Sequence, residues 1–101
     1  MSWQYYENEV EIWGYARGII QNGKPMGQAI KTLEETAELL DAINKEDKEA
    51  IKDAVGDIMV TLVMQCAIQG FTPTEALKAA FEQIKDRKGY LTAEGIFVKE
   101  I

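Results

Sequence analysis

Residues 54–68 constrain the fold of this 101-residue chain more than any other segment. They are apolar nearly all round a helix, whereas a surface helix has one apolar stripe and one polar face. We therefore expect them to form the second half of a helix that runs from about residue 48 to Gln69 and is the most buried of the molecule. Other helices must cover it, because 47% of the residues are apolar and the length suits a single domain, residues 1–101.

Two further helices are predicted before this one. Apolar residues recur at spacings of three and four over residues 9–20 and again over residues 26–43, as one face of a helix requires. The segment between them contains Gly23 and Pro25, which favour a helix end and a restart. Asp47 is placed to cap the buried helix that follows. The apolar stripe of the second helix comprises Met26, Ile30, Leu33, Ala37, Leu40 and Ile43.

A fourth helix is predicted after the buried one. Thr72 is a typical N-cap residue, and proline follows it at the first helical position, so we expect a helix from Pro73 to about Arg87. The tail, residues 88–101, is expected to be a loop with a short extended piece, and we find no β-hairpin signal in it. Four helices with short links predict an all-α fold, an up-and-down four-helix bundle or a close relative of it.

The charge and residue content exclude several kinds of function. The net charge of −6 argues against nucleic-acid binding, which depends on neutralising phosphates. The chain has no histidine, so an imidazole general base and a histidine zinc ligand are excluded. The single cysteine, Cys66, lies in an apolar stretch and is expected to be buried and unreactive. No signal peptide and no apolar run long enough to span a bilayer are found, which predicts a cytoplasmic protein.

Acidic residues stand at helical neighbour spacings in the second and third helices. Glu35 and Glu38 are three residues apart, and Glu34 precedes Glu38 by one turn. Asp53 and Asp57 are also one turn apart. If the two segments face each other, their charges repel, and a divalent cation with oxygen ligands such as Mg²⁺ relieves the repulsion. The alternative is that these acids form solvated helix faces without a ligand.

The surroundings of Asp57 favour the metal site. This residue lies in the segment that is otherwise apolar, where an unpaired carboxylate costs several kcal/mol. Gly56 beside it is not explained by helix propensity, since glycine inside a helix costs about 1 kcal/mol relative to alanine. A glycine at this place indicates the close approach of another helix or of a ligand.

The two acidic segments together resemble those of a known enzyme family. The sequence Glu34-Glu35-x-x-Glu38, followed by Asp53-Ala-Val-Gly-Asp57, looks like the EExxE and (E)xxGD motifs of the all-α nucleotide pyrophosphohydrolases. The small MazG-like proteins of phages and prophages are the most similar, and the similarity also covers Trp13, residues 28–35 and the basic tail, residues 84–100. Neither acidic motif is specific by itself, but their order and spacing together with the tail are.

This resemblance implies an activity and a metal site. The expected reaction is the hydrolysis of nucleoside or deoxynucleoside triphosphates to the monophosphate and pyrophosphate, typical of nucleotide-pool house-cleaning. It is expected to depend on Mg²⁺, with Mn²⁺ as the alternative ion. The implied metal ligands are Glu35, Glu38, Asp53 and Asp57. The implied catalytic residues are Glu34, Glu35 and Glu38, with Glu34 as a supporting acid or base.

One position departs from the family pattern. Many members have a glutamate three residues before the last aspartate, where this chain has Ala54. Asp53 is the natural substitute, because spacings of three and four residues return to the same helix face. The number of ions per site is therefore left open.

The resemblance also implies substrate contacts, each with a structural alternative. Lys31 is expected to contact the nucleotide, or to pair with Glu35 one turn away. Arg87 and Lys88 are expected to contact phosphates, or to serve as charges that complement the end of a helix. Trp13 is expected to contact the base, although packing in the core is the favoured use of its side chain.

The oligomeric state and two rival functions are further expectations. Four helices of this size rarely close a nucleotide pocket alone, so a homodimer or a dimer of dimers is expected, with helices of two chains at each site. The first rival is a catalytically weak or inactive helical adaptor that binds nucleotide and metal, which Ala54 favours. The second is a purely structural interaction domain.

Overall fold

A computed structural model describes residues 1–100, which form five α-helices and one antiparallel β-hairpin. The helices are α1 (Trp3–Ala16), α2 (Ile19–Asn22), α3 (Pro25–Asn44), α4 (Lys48–Gln69) and α5 (Pro73–Ile84). The strands are β1 (Gly89–Leu91) and β2 (Phe97–Lys99). The predominance of helix confirms the predicted all-α class.

The α4 helix is the most buried helix, as its apolar sequence predicts. Val63, Met64 and Cys66 are among its buried residues, so the expected burial of the thiol is confirmed. α4 packs most extensively on α3, and α1, α2 and α5 contact it over smaller areas. Its predicted cap is also confirmed, because the Asp47 carboxylate accepts a hydrogen bond of 3.1 Å from the backbone N–H of Ala50.

The first predicted helix differs from the structure at both ends. α1 begins at Trp3, so the prediction of a start at residue 9 is six residues too late. It ends at Ala16, because Gly18 adopts a φ of 75°, a left-handed conformation that interrupts the helix. The apolar residues 19 and 20 therefore belong to a separate short helix, α2, which Gly23 ends in an extended conformation.

The α3 helix turns a mixed face with polar residues at its centre, and not its apolar stripe, toward α4. Its buried residues are Glu35 and Ala42. Beside them, Thr32 Oγ1 donates a hydrogen bond of 2.8 Å to the Oγ1 of the buried Thr61 on α4. The large residues of the stripe are at least half exposed in the single chain; they are Met26, Ile30, Leu33, Leu40 and Ile43. An exposed apolar stripe of this length is typical of a surface that contacts another protein.

The C-terminal tail contains a β-hairpin, so the prediction of a loop without a hairpin is wrong. β1 pairs with β2 in antiparallel register, with Tyr90 opposite Val98. In the turn, the backbone N–H of Thr92 donates to the carbonyl of Ile96 over 2.8 Å, and Gly95 adopts a φ of 82°. Each strand has three residues, which is too short to produce a recognisable alternation of apolar and polar side chains.

The α5 helix and the hairpin project from the body formed by α1–α4. α5 begins after the predicted Thr72 cap but ends at Ile84, short of Arg87, whose N–H donates to the Ile84 carbonyl in a turn. Within residues 1–100, α5 contacts only α4, and neither strand contacts a helix. The radius of gyration is 15.8 Å, compared with about 13 Å for a compact domain of this length.

Among residues 1–100, no single helix has the length and apolar character needed to cross a membrane. α4 and α5 taken together would meet those two criteria, and the chain bends by 99° between them.

Candidate metal centre

Three acidic side chains from two helices meet where α3 contacts α4. Glu35 and Glu38 lie on successive turns of α3, and Asp57 lies on α4. Each contributes a carboxylate oxygen, and the three oxygens lie within 4.8 Å of one another. Carboxylate oxygens at this spacing are close enough to share one divalent cation. We call these three residues the acid cluster.

Glu35 is the most buried member of the acid cluster. Its Oε2 is inaccessible to solvent and accepts no hydrogen bond from any residue of the described chain. Its Oε1 lies 3.5 Å from Lys31 Nζ, so only one of the two oxygens has a cationic neighbour. A buried charged oxygen without a partner costs more than the roughly 1–3 kcal/mol of an unpaired neutral group. Oε2 is therefore placed to meet a ligand that the described residues do not supply.

The other two acids hold their protons more tightly than usual. The neighbouring Glu35 carboxylate, as a hydrogen-bond acceptor and through charge repulsion, raises the pKa of Glu38 above its ordinary value of 4.5, with smaller effects of burial and of Asp57. Partial burial raises the pKa of Asp57 above 3.8, and repulsion by Asp53 and Glu35 raises it further. The acid cluster therefore carries more negative charge than the surrounding protein stabilises, which is the condition that a bound cation relieves.

Lys31 and Glu34 lie at the solvent edge of the acid cluster. Lys31 Nζ is 3.4 Å from Glu34 Oε2 and 3.5 Å from Glu35 Oε1, so the alternative use of Lys31, an ion pair with Glu35, is present in the single chain. A hydrogen bond and the charge of Glu34, followed by those of Glu35, raise the pKa of Lys31. Both Lys31 and Glu34 are exposed, which leaves them accessible to a bound substrate.

Asp53 does not join the acid cluster. The oxygens that lie within 4.8 Å of one another come only from Glu35, Glu38 and Asp57 among the described residues, and Asp53 is exposed one turn away. Ala54 is buried in the core, so no side-chain oxygen comes from that position either. A Cβ atom added to Gly56 would meet no neighbouring group within 4 Å. The expected close approach of another helix is therefore not found within the described chain.

Trp13 lies beside the acid cluster and not in the core. It lines a cavity of about 370 Å³ between α1 and α4, together with Asp57. Its side chain is 42% exposed, so the favoured alternative of core packing is wrong. Gly14 and Glu7 are the residues of α1 that are buried. The remaining walls of this cavity, which we call the α1–α4 cleft, are Tyr6, Glu9, Val10 and Val60.

Arg87 and Lys88 are placed away from the acid cluster within one chain. Both are exposed in the link between α5 and β1. The hairpin that follows them contacts no helix, so the described chain has nothing that holds either cation next to the acids. Neither residue lies within α5, which ends at Ile84 with Lys85 as its C-cap.

Glu7, a buried acid near the start of α1, is not among the residues predicted from the sequence. Its carboxylate accepts hydrogen bonds from Trp3 Nε1 at 2.7 Å and from Gln4 Nε2 at 3.3 Å. The spacing of Trp3, Gln4 and Glu7 at three and four residues is the sequence signal for this contact, but it lies outside a helix predicted to begin at residue 9. Glu7 also lies near Cys66. Burial raises the pKa of the Cys66 thiol, the charge of Glu7 raises it further, and the thiol therefore stays protonated.

A comparison with protein families adds an independent observation. The family model of the MazG nucleotide pyrophosphohydrolase domain matches residues 27–92, more than half of the chain and a range that includes the whole acid cluster. A protein of Haemophilus phage HP1 (strain HP1c1), described as an uncharacterized 18.2 kDa protein in the rep-hol intergenic region, is 34% identical over 55 residues. The aligned part is 54% of this chain and 34% of the phage protein, so the chain spans about a third of that relative. No solved structure matches the chain.

Proposed function

Because the chain belongs to the MazG nucleotide pyrophosphohydrolase family, we propose that it hydrolyses nucleoside or deoxynucleoside triphosphates to the monophosphate and pyrophosphate, with Mg²⁺ as cofactor. The observation that carries this proposal is the acid cluster, and above all the buried Oε2 of Glu35 that has no partner in the described chain. A role in clearing unwanted nucleotides from the cellular pool is the corresponding biological function.

The residues of the acid cluster fit a hard divalent ion. Glu35, Glu38 and Asp57 supply carboxylate oxygens, which Mg²⁺ and Mn²⁺ both accept as ligands. Three protein ligands leave coordination positions for water and for substrate phosphate oxygens. When bound, the ion neutralises phosphate charge and lowers the pKa of a bound water molecule. In our proposal, Asp53 acts from outside the cluster, by repulsion that strengthens the preference of Asp57 for a cation.

Glu34 and Lys31 are proposed to act at the solvent edge. Glu34 is exposed and adjoins Glu35 in the chain, and in our proposal its carboxylate takes a proton from the attacking water. Lys31 holds Glu34 at 3.4 Å in the absence of substrate and can turn to a phosphate oxygen when a nucleotide is present. Trp13, at the wall of the α1–α4 cleft, is proposed to contact the base.

We propose a homodimer, or a dimer of dimers, as the active assembly. The apolar stripe of α3 is exposed, and so are Leu77 and Phe81 of α5 and Tyr90 of the hairpin. A two-stranded hairpin is at most marginally stable alone, so it needs a surface to pack on, and none of the described helices provides it. In a dimer, Arg87 and Lys88 of one chain reach the acid cluster of the partner and bind the triphosphate.

The test of the activity is pyrophosphate release from a panel of nucleotides with Mg²⁺. The variant Glu38→Gln is expected to lower turnover by about 10- to 100-fold or more. Removing a residue that only hydrogen-bonds to a metal ligand already has an effect of about this size. Asp41→Asn is the matched control, because Asp41 is an exposed acid of the same helix that pairs with Lys45 at 2.9 Å. A folded wild-type protein that turns over no nucleotide in the panel would contradict the proposed activity.

The rival function is a binding module without significant catalysis. It is supported by the acid cluster having three members, with Ala54 buried and Asp53 outside. Calorimetric titration with Mg²⁺ and a non-hydrolysable nucleotide separates the two functions. The binding module predicts tight binding that Glu38→Gln abolishes, together with no pyrophosphate release from the wild type.

A further inference from the structure

Most residues that line the α1–α4 cleft have no role in the proposed metal site. Only Asp57 among its lining residues belongs to the acid cluster, and the rest of the cleft extends from Asp57 along α1. Its volume of about 370 Å³ lies in the range of small-molecule sites. A nucleotide with its phosphates at the acid cluster therefore has its base within reach of this cleft.

Two aromatic side chains of the cleft stand on one face of α1. Tyr6 and Trp13 are two turns apart, with Val10 between them, and Val60 of α4 lies on the opposite wall. Both rings are partly exposed, at 56% for Tyr6 and 42% for Trp13, so they present surface that a planar ring can cover. Aromatic and aliphatic walls of this kind bind any nucleobase by stacking, which gives affinity but does not distinguish one base from another.

Glu9 is the charged side chain of the cleft that lies outside the acid cluster. It is three residues after Tyr6 and four before Trp13, so its carboxylate lies on the same face between the two rings. The Glu9 side chain is exposed, and within residues 1–100 its carboxylate has neither a hydrogen-bond partner nor an ion-pair partner. The carboxylate of Glu7, two residues earlier on α1, is buried and accepts a hydrogen bond from Trp3. An ionised carboxylate accepts hydrogen bonds and donates none. It therefore favours a base edge that presents N–H groups and disfavours one that presents carbonyl oxygens.

We propose that Glu9 makes this site selective for guanine nucleotides, an inference that rests on the proposed binding of nucleotides at the acid cluster. The Watson–Crick edge of guanine presents two neighbouring donors, N1–H and the N2 amino group, which a carboxylate accepts in a bidentate manner. Uracil and thymine present one N–H between two carbonyl oxygens, which repel the carboxylate. Adenine and cytosine present an amino group beside a ring nitrogen acceptor and lie between these extremes.

The test measures the equilibrium binding of GMP and of UMP by titration calorimetry in the presence of Mg²⁺. Binding of a monophosphate does not depend on turnover. The wild type is expected to bind GMP about 10- to 100-fold more tightly than UMP, the effect of one or two charged hydrogen bonds. Glu9→Gln is expected to lose most of that preference while still binding both nucleotides. Glu11→Gln is the matched control, since Glu11 is on α1 but does not line the cleft.

Equal affinities of the wild type for GMP and UMP, or no binding of either, would overturn this assignment, as would a guanine preference that survives in Glu9→Gln. These results are separable from those for the enzymatic activity. Hydrolysis of all triphosphates at equal rates, with equal binding of GMP and UMP, leaves the hydrolase and refutes the role of Glu9. Selective binding of GMP without any pyrophosphate release refutes the hydrolase and supports the role of Glu9.

Discussion

At the scale of single residues, the acid cluster is a set of side chains that the folded chain holds at an energetic cost. Glu35 is buried with one oxygen unpaired, and its charge raises the pKa of both Glu38 and Asp57. Three carboxylates this close repel each other in any folded state without a cation. In the proposed metal site, the stability of the fold and the affinity for the ion are therefore coupled, and each can be used to measure the other.

The pH dependence of stability follows from the direction of these pKa shifts. Glu38 and Asp57 have folded-state pKa values above their ordinary 4.5 and 3.8, so the folded chain binds these protons more tightly than the unfolded chain. Their contribution to the unfolding free energy is therefore complete below the ordinary values and falls as the pH rises through the raised ones. Asp57→Asn, which cannot ionise at this position, is expected to be more stable than the wild type at pH 7 in EDTA.

Urea unfolding measured from about pH 3 to about pH 8 checks this expectation, because the range begins near the ordinary carboxyl pKa values of about 4 and extends well above them. Addition of Mg²⁺ at pH 7 is expected to raise the unfolding midpoint of the wild type and leave that of Asp57→Asn unchanged. Asp41→Asn again serves as the control and should respond to Mg²⁺ like the wild type. A wild type that is indifferent to Mg²⁺ would mean that the acid cluster is a structural feature without an ion.

At the scale of elements, the contact between α3 and α4 positions the acids. It is polar at its centre, where Thr32 of α3 donates to the buried Thr61 of α4. Gln65 extends the polar contact, since its Nε2 donates to the carbonyl of Pro25 at the start of α3 over 2.9 Å. Hydrogen bonds are directional, so they set the register of the two helices more closely than apolar packing does. The distance between Glu35 and Asp57 depends on that register.

Thr61→Val tests the importance of this polar contact. The hydroxyl of Thr61 donates to the carbonyl of Ile58 at 2.7 Å and accepts from Thr32, and valine keeps the shape without either bond. The variant is expected to lose about 1 kcal/mol of unfolding free energy and to bind Mg²⁺ more weakly through a less defined register. Thr36→Val is the control, because Thr36 is exposed and bonds only within α3. Urea unfolding measures the stability of both variants. Equal losses of unfolding free energy in Thr61→Val and Thr36→Val would show that the hydrogen bond between the helices has no special role.

At the scale of the whole molecule, the chain presents more apolar surface than one copy can bury. The α3 stripe, α5 and the hairpin all expose large side chains, while α5 and the hairpin extend away from the body. The radius of gyration of 15.8 Å exceeds the value of about 13 Å for a compact domain of this length. These features are explained together if a second copy covers the exposed surfaces.

Leu33→Glu tests this explanation. Leu33 is 70% exposed near the middle of the α3 stripe, so the change places a charge in the expected interface without disturbing the core of one chain. The wild type is expected to sediment as a dimer or larger assembly, and the variant to shift toward the monomer. Thr36→Glu, an exposed position of α3 outside the stripe, is the control and should assemble like the wild type. A wild type that is monomeric by analytical ultracentrifugation refutes the proposed assembly.

The sequence by itself determined the local structure of this protein and the identity of its acids. Helical periodicity and apolar content predicted the all-α class and the burial of α4, and side-chain chemistry predicted the Asp47 and Thr72 caps, because these depend on residues within one turn of each other. The spacing of Glu35, Glu38 and Asp57 also marked them as possible partners before any helix was placed.

Only the tertiary structure decided which faces meet. It turned Glu35 inward and Leu33 outward on α3, left Asp53 outside the acid cluster, brought Trp13 beside Asp57, and paired the two short strands of the tail. Periodicity defines the faces of a helix but not the neighbour of each face, because that choice depends on contacts between residues far apart in the chain. An apolar stripe that faces solvent in one copy cannot be told from a core face by pattern alone.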